Sequence, residues 1–139
     1  MELIFEDINI GDEVIDLLKP PITKVQLVRY AGASGDFNPL HTDEEAARAA
    51  GFDGVVAQGM LVMGMVAQAV TDWVPKRALK KFKVRFRGAT RPGDIIRVLG
   101  KVTDKRVEDK KGIVVCTLEA ADQNNDIKIL GSFETAFPI

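Results

Sequence analysis

One histidine, one cysteine and no excess of positive charge limit what this chain can do before any motif is read. With Cys116 alone, an intrachain disulfide and a cysteine metal cluster are both excluded. Cys116 lies in the apolar run Ile113-Val114-Val115-Cys116, the setting of a buried structural thiol rather than a nucleophile. Lys and Arg number 19 against 20 Asp and Glu, giving a net charge of −1, so no nucleic-acid partner is expected. No apolar run reaches membrane-spanning length without interruption. The segment Met1–Asp7 has neither the basic start nor the apolar stretch of a secretory signal, which makes the cytoplasm the expected compartment.

What is present is the composition of an ordinary globular protein. At 139 residues and 46% hydrophobic, the chain is expected to form one domain over residues 1–139 with a real core. No internal repeat, low-complexity tract or linker interrupts it.

The order of elements reads as α+β. An extended segment over Glu13–Leu18 ends at the breaker Lys19-Pro20-Pro21. Thr23 is placed to N-cap a helix running to about Arg29–Ala31. A loop rich in Gly, Ser, Asp, Asn and Pro follows, then a short helix over Asp43–Ala50 with acids in its first turn and Gly51 ending it. From Gln58 to about Trp73 the chain is apolar nearly all round, the pattern of a helix in the middle of a fold. Its three methionines and two glycines suit an adaptable, closely approached surface and suit plain core packing equally. The remainder is strand-like: Leu79–Phe86, Ile95–Thr103, Gly112–Ala121 and Ile127–Phe137. A charged hairpin over Asp104–Lys111 and turns at Arg91–Asp94 and Asp122–Asp126 separate them. One apolar helix followed by consecutive strands predicts an antiparallel sheet wrapped around that helix.

The loop holds the chemistry. In Gly35-Asp36-Phe37-Asn38-Pro39-Leu40-His41 the only histidine stands five positions after an aspartate. Histidine is the side chain whose ordinary pKa lies nearest neutrality, so it is the natural proton shuttle. Pro39 lacks an N–H and pushes Asn38 toward extended geometry, which forbids a continuous helix. Asp36 and His41 are thus presented from an irregular segment, as catalytic groups often are. A connective loop, with Asp36 or Asn38 capping the next helix, would use the same residues.

The stretch Tyr30-Ala31-Gly32-Ala33-Ser34-Gly35-Asp36-Phe37-Asn38-Pro39-Leu40-His41, with Ala46-Ala47 after it, resembles the signature of MaoC-like, (R)-specific enoyl-thioester hydratases. Gly54–Leu61, with its Gly59-Met60-Leu61, is similar to that family's second segment. Phe82–Arg87 and Arg91-Pro92-Gly93-Asp94 resemble the strand and turn that follow. The resemblance implies a hot-dog fold built as a dimer, Asp36 and His41 as the catalytic pair, and Gly59 as the oxyanion donor. It also implies a hydro-lyase of fatty-acid metabolism interconverting trans-2-enoyl and (R)-3-hydroxyacyl thioesters. The acyl group would ride on coenzyme A or acyl carrier protein, and the partner would be an identical copy or a second hot-dog subunit. No metal and no cofactor are expected.

The residue types fit that chemistry. Hydration of an enoyl thioester needs a base to activate water for C3, an acid to protonate C2, and donors for the enolate-like oxygen at C1. His41 and Asp36 can supply the first two. A glycine opening a helix supplies the third, because its N–H has no intrahelical partner and no side chain blocks approach. Asn38 can bond the pair or the water, or hold the turn by an Asx-type bond. The basic run Lys76-Arg77, Lys80-Lys81, Lys83, Arg85 and Arg87 is either a solvated strand face or a site for a phosphate-bearing carrier. Val62, Met63, Val66 and Val70 could line an acyl channel, or belong to the core.

Two positions depart from the family pattern: Gln58 where many relatives have His, and Ala67 where many have a polar residue. Other activities remain open. They are an acyl-thioesterase on the same architecture, the catalytic subunit of a heteromeric hydroxyacyl dehydratase, or a non-catalytic acyl-binding subunit.

Overall fold

The fold is described over residues 2–139 of a computed structural model. A 3-10 turn at Phe5–Asp7 leads to strand β1 (Glu13–Leu18), helix α1 (Lys24–Ser34), a second 3-10 turn (Pro39–His41) and helix α2 (Glu44–Ala49). Helix α3 (Gly59–Trp73) and a third 3-10 turn (Lys76–Ala78) precede strands β2 (Leu79–Phe86), β3 (Arg97–Glu108), β4 (Lys111–Ala121) and β5 (Ile127–Pro138). The strands pair antiparallel throughout in the order β1-β3-β4-β5-β2. Register shifts at Glu13/Ile15, Leu79/Lys81, Val102/Asp104 and Ala120/Ala121 interrupt the ladders. Such bulges bend and twist strands, which lets a sheet wrap a helix. The result is the α+β hot-dog arrangement.

Helix α3 is the filling. Val62, Met65, Val66, Ala69 and Val70 face a core that includes Val98, Val102, Val114, Cys116, Leu118 and Phe133. Burying each such aliphatic side chain contributes about 1.5–3 kcal/mol. Val66 and Val70, both 0% exposed, are therefore core residues rather than the walls of an open acyl channel. Trp73 closes the C-terminal end with edge contacts to Phe133 and Phe137, ring centroids 6.0 and 6.4 Å away. The opposite face of α3 is bare: Met60, Gly64 and Gln68 are exposed. A helix apolar all round is thus covered on one side only. Among the described residues, no helix is long and apolar enough to cross a membrane.

The β3–β4 hairpin is longer than its sequence suggests. Pairing continues through Asp104–Glu108 to the last pair, Glu108 with Lys111, and only Asp109 and Lys110 turn, at φ of 50° and 62°. Those left-handed angles suit a tight two-residue turn matched to strand twist. The charged residues there line the solvent side of a ladder: Arg106 bonds Glu108 and Glu134, each at 2.8 Å. Lys105 instead reaches back to the Phe5 and Ile8 carbonyls and lies over the Phe5 ring, pinning the N-terminal turn to the sheet. At the other end of β3, Ile95 lies just before the strand, which begins at Arg97.

Strand β2 is one edge of the sheet, bonded only to β5. Lys80, Lys81, Lys83 and Arg85 on it, and Arg87 just after it, are exposed. Charges on an edge strand also discourage unwanted strand addition.

Candidate active site

Helix α1 aims the loop that carries Asp36. Thr23 caps its start, accepting a hydrogen bond from the Gln26 N–H at 3.1 Å. Gly35 ends it at φ 77°, donating to the Ala31 carbonyl. That left-handed turn suits glycine, because a Cβ would crowd the carbonyl. The chain then leaves the helix and a chain of short bonds shapes the loop. The Asp36 N–H donates to Ser34 Oγ at 3.1 Å, and Asp36 Oδ1 accepts from the Asn38 N–H at 3.3 Å. Asn38 Oδ1 accepts from the Leu40 N–H at 3.1 Å and so caps the Pro39–His41 turn. Of the two roles the sequence leaves to Asn38, the Asx-type one is what this geometry displays.

His41 is fixed from the far side. The Val56 N–H donates to the Leu40 carbonyl at 3.0 Å, and His41 Nδ1 lies 2.8 Å from the Val56 carbonyl. A carbonyl oxygen can only accept, so Nδ1 carries the proton and the neutral ring leaves Nε2 as its basic lone pair. Nε2 faces Asp36 Oδ2 at 3.4 Å, with the imidazole 11% exposed and the carboxylate 43%. That separation exceeds the roughly 2.7–3.2 Å of a direct N–H···O bond. Two acceptors facing each other suit a shared donor, a part that water plays well. The partly sheltered base and the more open carboxylate can orient one water and take its proton.

The same Val56 leads into the third element. Gly59 follows it by three positions, is exposed, and is the first residue of α3. The Gln58 side chain does not cap this helix, and no protein acceptor meets the Gly59 N–H among the described residues. A helix N-terminus with an open N–H attracts developing negative charge. The Phe86 ring lies close by: a Cβ on Gly59 would meet its Cε1 at 3.2 Å. Ala57, Gly59, Val62, Phe86, Thr90 and Ile129 contribute to a cleft of about 160 Å³ beside this position. A larger hollow of about 450 Å³ lies by Trp73 and Phe137 at the other end of α3, away from Asp36 and His41.

The structure thus brings Asp36 and His41 together, puts Asn38 in the turn between them, and ties His41 to the segment that opens at Gly59. Sequence reasoning misses Val56, whose backbone carbonyl leaves no signal in a residue type. It notices Gln58 as a departure but not that the side chain is fully buried, with Nε2 donating to the Leu27 carbonyl at 2.9 Å. Among the described residues no three His, Cys, Asp or Glu side chains converge as a metal site requires.

Comparison with known proteins places this geometry in context. The family model of the MaoC like domain matches residues 8–124. The 3-hydroxybutyryl-CoA dehydratase of Methylorubrum extorquens is 28% identical over 123 residues, covering 87% of this chain and 77% of that protein. The mitochondrial 3-hydroxyacyl-[acyl-carrier-protein] dehydratase of Arabidopsis thaliana is 32% identical over 107 residues, 77% of this chain and 64% of that protein. Among solved structures, a protein from Archaeoglobus described as a monoamine oxidase regulatory protein superposes with a TM-score of 0.85 at 28% identity, covering 97% of this chain and 94% of that one. The R-hydratase PhaJ1 from Pseudomonas aeruginosa shares the fold, with a TM-score of 0.81 at 23% identity over 96% of this chain and 84% of that one.

Proposed function

This chain belongs to the MaoC-like domain family and is a hydro-lyase of that family, and on that footing we propose that Asp36, His41 and Gly59 carry its reaction. The reaction is reversible addition of water to trans-2-enoyl thioesters, giving (R)-3-hydroxyacyl thioesters in fatty-acid metabolism. The observation that carries this reading is the pair of contacts on His41: Nδ1 on the Val56 carbonyl at 2.8 Å, Nε2 toward Asp36 at 3.4 Å.

In the forward direction the His41 Nε2 lone pair removes a proton from water while the Asp36 carboxylate accepts the water's other hydrogen and holds its oxygen toward C3. The new C–O bond forms at C3, and the alkene electrons move toward the thioester oxygen at C1. The Gly59 N–H donates to that oxygen as it becomes enolate-like. The proton taken from water returns to C2, the thioester is restored, and the pair ends in its starting state. Positioned acid–base groups contribute about 10²–10⁴-fold and an oxyanion donor about 10²–10³-fold. Asn38 acts here by holding the turn.

The relatives' names point to coenzyme A and acyl carrier protein as carriers. Residues 1–139 act as one MaoC-like domain in the cytoplasm, as a dimer of two copies or with a second subunit of the same fold. The bare face of α3 and the open edge at β2 give such a partner something to cover.

The test is loss of the enoyl absorbance of crotonyl-CoA on adding the protein, beside the Asp36→Asn variant. Conversion by the wild type and not by the variant supports the reading. Equal conversion by both overturns the assignment of the pair. Release of free thiol without hydration would make the chain a thioesterase.

A further inference from the structure

Gln58 is 0% exposed, and its Oε1 is the one buried side-chain oxygen or nitrogen among the described residues with no hydrogen-bond partner. An amide buried with an unmet acceptor lowers stability, and an apolar side chain of the same size would fill the space without that cost. Helix capping does not account for it. Gln58 occupies the N-cap position of α3, yet its side chain turns away from the helix and its Nε2 donates to the Leu27 carbonyl at 2.9 Å. Nor does Leu27 need the bond, since that carbonyl lies inside α1, where the N–H four residues on is its ordinary partner.

What the bond does is join two elements. Helix α1 runs to Ser34 and hands the chain through Gly35 to Asp36; α3 opens at Gly59, the residue after Gln58. The His41–Val56 contact is a first tie between these halves of the site. The Gln58–Leu27 bond is a second and a directional one, joining α1 to the N-cap residue of α3. We infer that Gln58 is a positioning residue, whose buried amide fixes α1 at Leu27, in its first half, and through the helix sets where its far end delivers Asp36 relative to the Gly59 N–H. This rests on the reading of Asp36, His41 and Gly59 given above.

Gln58→Met removes the bond and the unmet oxygen while keeping the volume, and Gln58→His restores a ring N–H able to reach Leu27. Misplacing reacting groups by about 1 Å can cost on the order of 100-fold in rate. Gln58→Met is expected to lower kcat about 10- to 100-fold with KM within about twofold and the melting temperature unchanged or raised. Gln58→His is expected to recover most of kcat. A Gln58→Met enzyme with wild-type kcat overturns the inference, as does one that loses activity only in step with its melting temperature. A wild type inactive on every enoyl thioester would instead defeat the reading on which this rests. A second measurement separates the two cases without any substrate: the backbone amide resonance of Asp36, remote in sequence from residue 58, should shift in Gln58→Met while amides of the distant β3–β4 hairpin stay put. If the Asp36 resonance does not move, the inference fails whatever the activity.

Discussion

His41 Nδ1 donates to the carbonyl of Val56 across 2.8 Å, and this one contact decides which nitrogen of the ring is free to act as a base. The donor side is used up by the backbone, so Nε2 is left facing Asp36. The same Val56 sits three positions before the Gly59 N–H, so the base and the oxyanion donor proposed above are held from a common short segment.

Loss of either member of the pair should sharply lower turnover without unfolding the protein. Asp36 and His41 lie on a half-buried loop, and neither belongs to the core beneath α3. His41→Ala and Asp36→Asn are each expected to lower kcat by roughly 10²–10⁴-fold. The double variant should cost little more than either single one, because groups that act as a unit are not additive. Steady-state kinetics together with thermal melts check both statements.

Gly59 permits a sharper experiment. Proline is tolerated at the first position of a helix, where its missing N–H costs no intrahelical bond, and Gln58 already has the extended geometry that precedes proline, with φ −60° and ψ 133°. Gly59→Pro should therefore leave α3 intact, remove the donor and cost about 10²–10³-fold in kcat. Gly59→Ala is the control for bulk. Its Cβ meets Phe86 at 3.2 Å, but that ring is 50% exposed and can give way, so the N–H remains and the loss should be much smaller.

Cys116 should be inert in the native state. Burial pushes its thiol up to about 12, leaving almost no thiolate near neutral pH. A thiol reagent should label it only in denaturant, at a rate that follows unfolding.

Asp122 sets an acid limit on the turn after β4. Burial raises its pKa, but the N–H groups of Asn124 and Asp126, at 2.9 and 3.0 Å, and the Lys128 ammonium outweigh this, so the carboxyl is held below its usual 3.8. A lowered folded-state pKa means that the stabilisation is complete above the unfolded value and is lost as pH falls through the folded one. Asp122→Asn is expected to cost about 1–3 kcal/mol at neutral pH. The difference from wild type should shrink below about pH 4, the ordinary range of an unfolded aspartate. Urea unfolding at several pH values measures it.

Much of this architecture can be read from residue order. The Pro20-Pro21 breaker ends β1, Thr23 announces α1, and Leu79–Phe86 has as a strand the bounds its alternation gives. Asp36 and His41 are legible because histidine is scarce and Asn38-Pro39 forbids a helix between them. Three features are not legible, for physical reasons. The β3–β4 hairpin reads short because its charged residues look like a turn, whereas pairing is a backbone property that solvent-facing side chains do not oppose. The part played by Val56 belongs to a carbonyl every residue has. The sequence marks Gln58 only as a departure from the family pattern, because its bond to the Leu27 carbonyl joins residues far apart in the chain and uses a backbone acceptor every residue has.

The measurement that tests the central claim most directly is product analysis after incubating the wild-type protein with crotonyl-CoA, scoring both the configuration at C3 and the state of the thioester. Water held by Asp36 and His41 together and an enolate oxygen held by Gly59 predict hydration with the thioester intact, and the (R)-specific reading proposed for this chain predicts (R)-3-hydroxybutyryl-CoA. The (S) product, or free coenzyme A without hydration, would contradict the account.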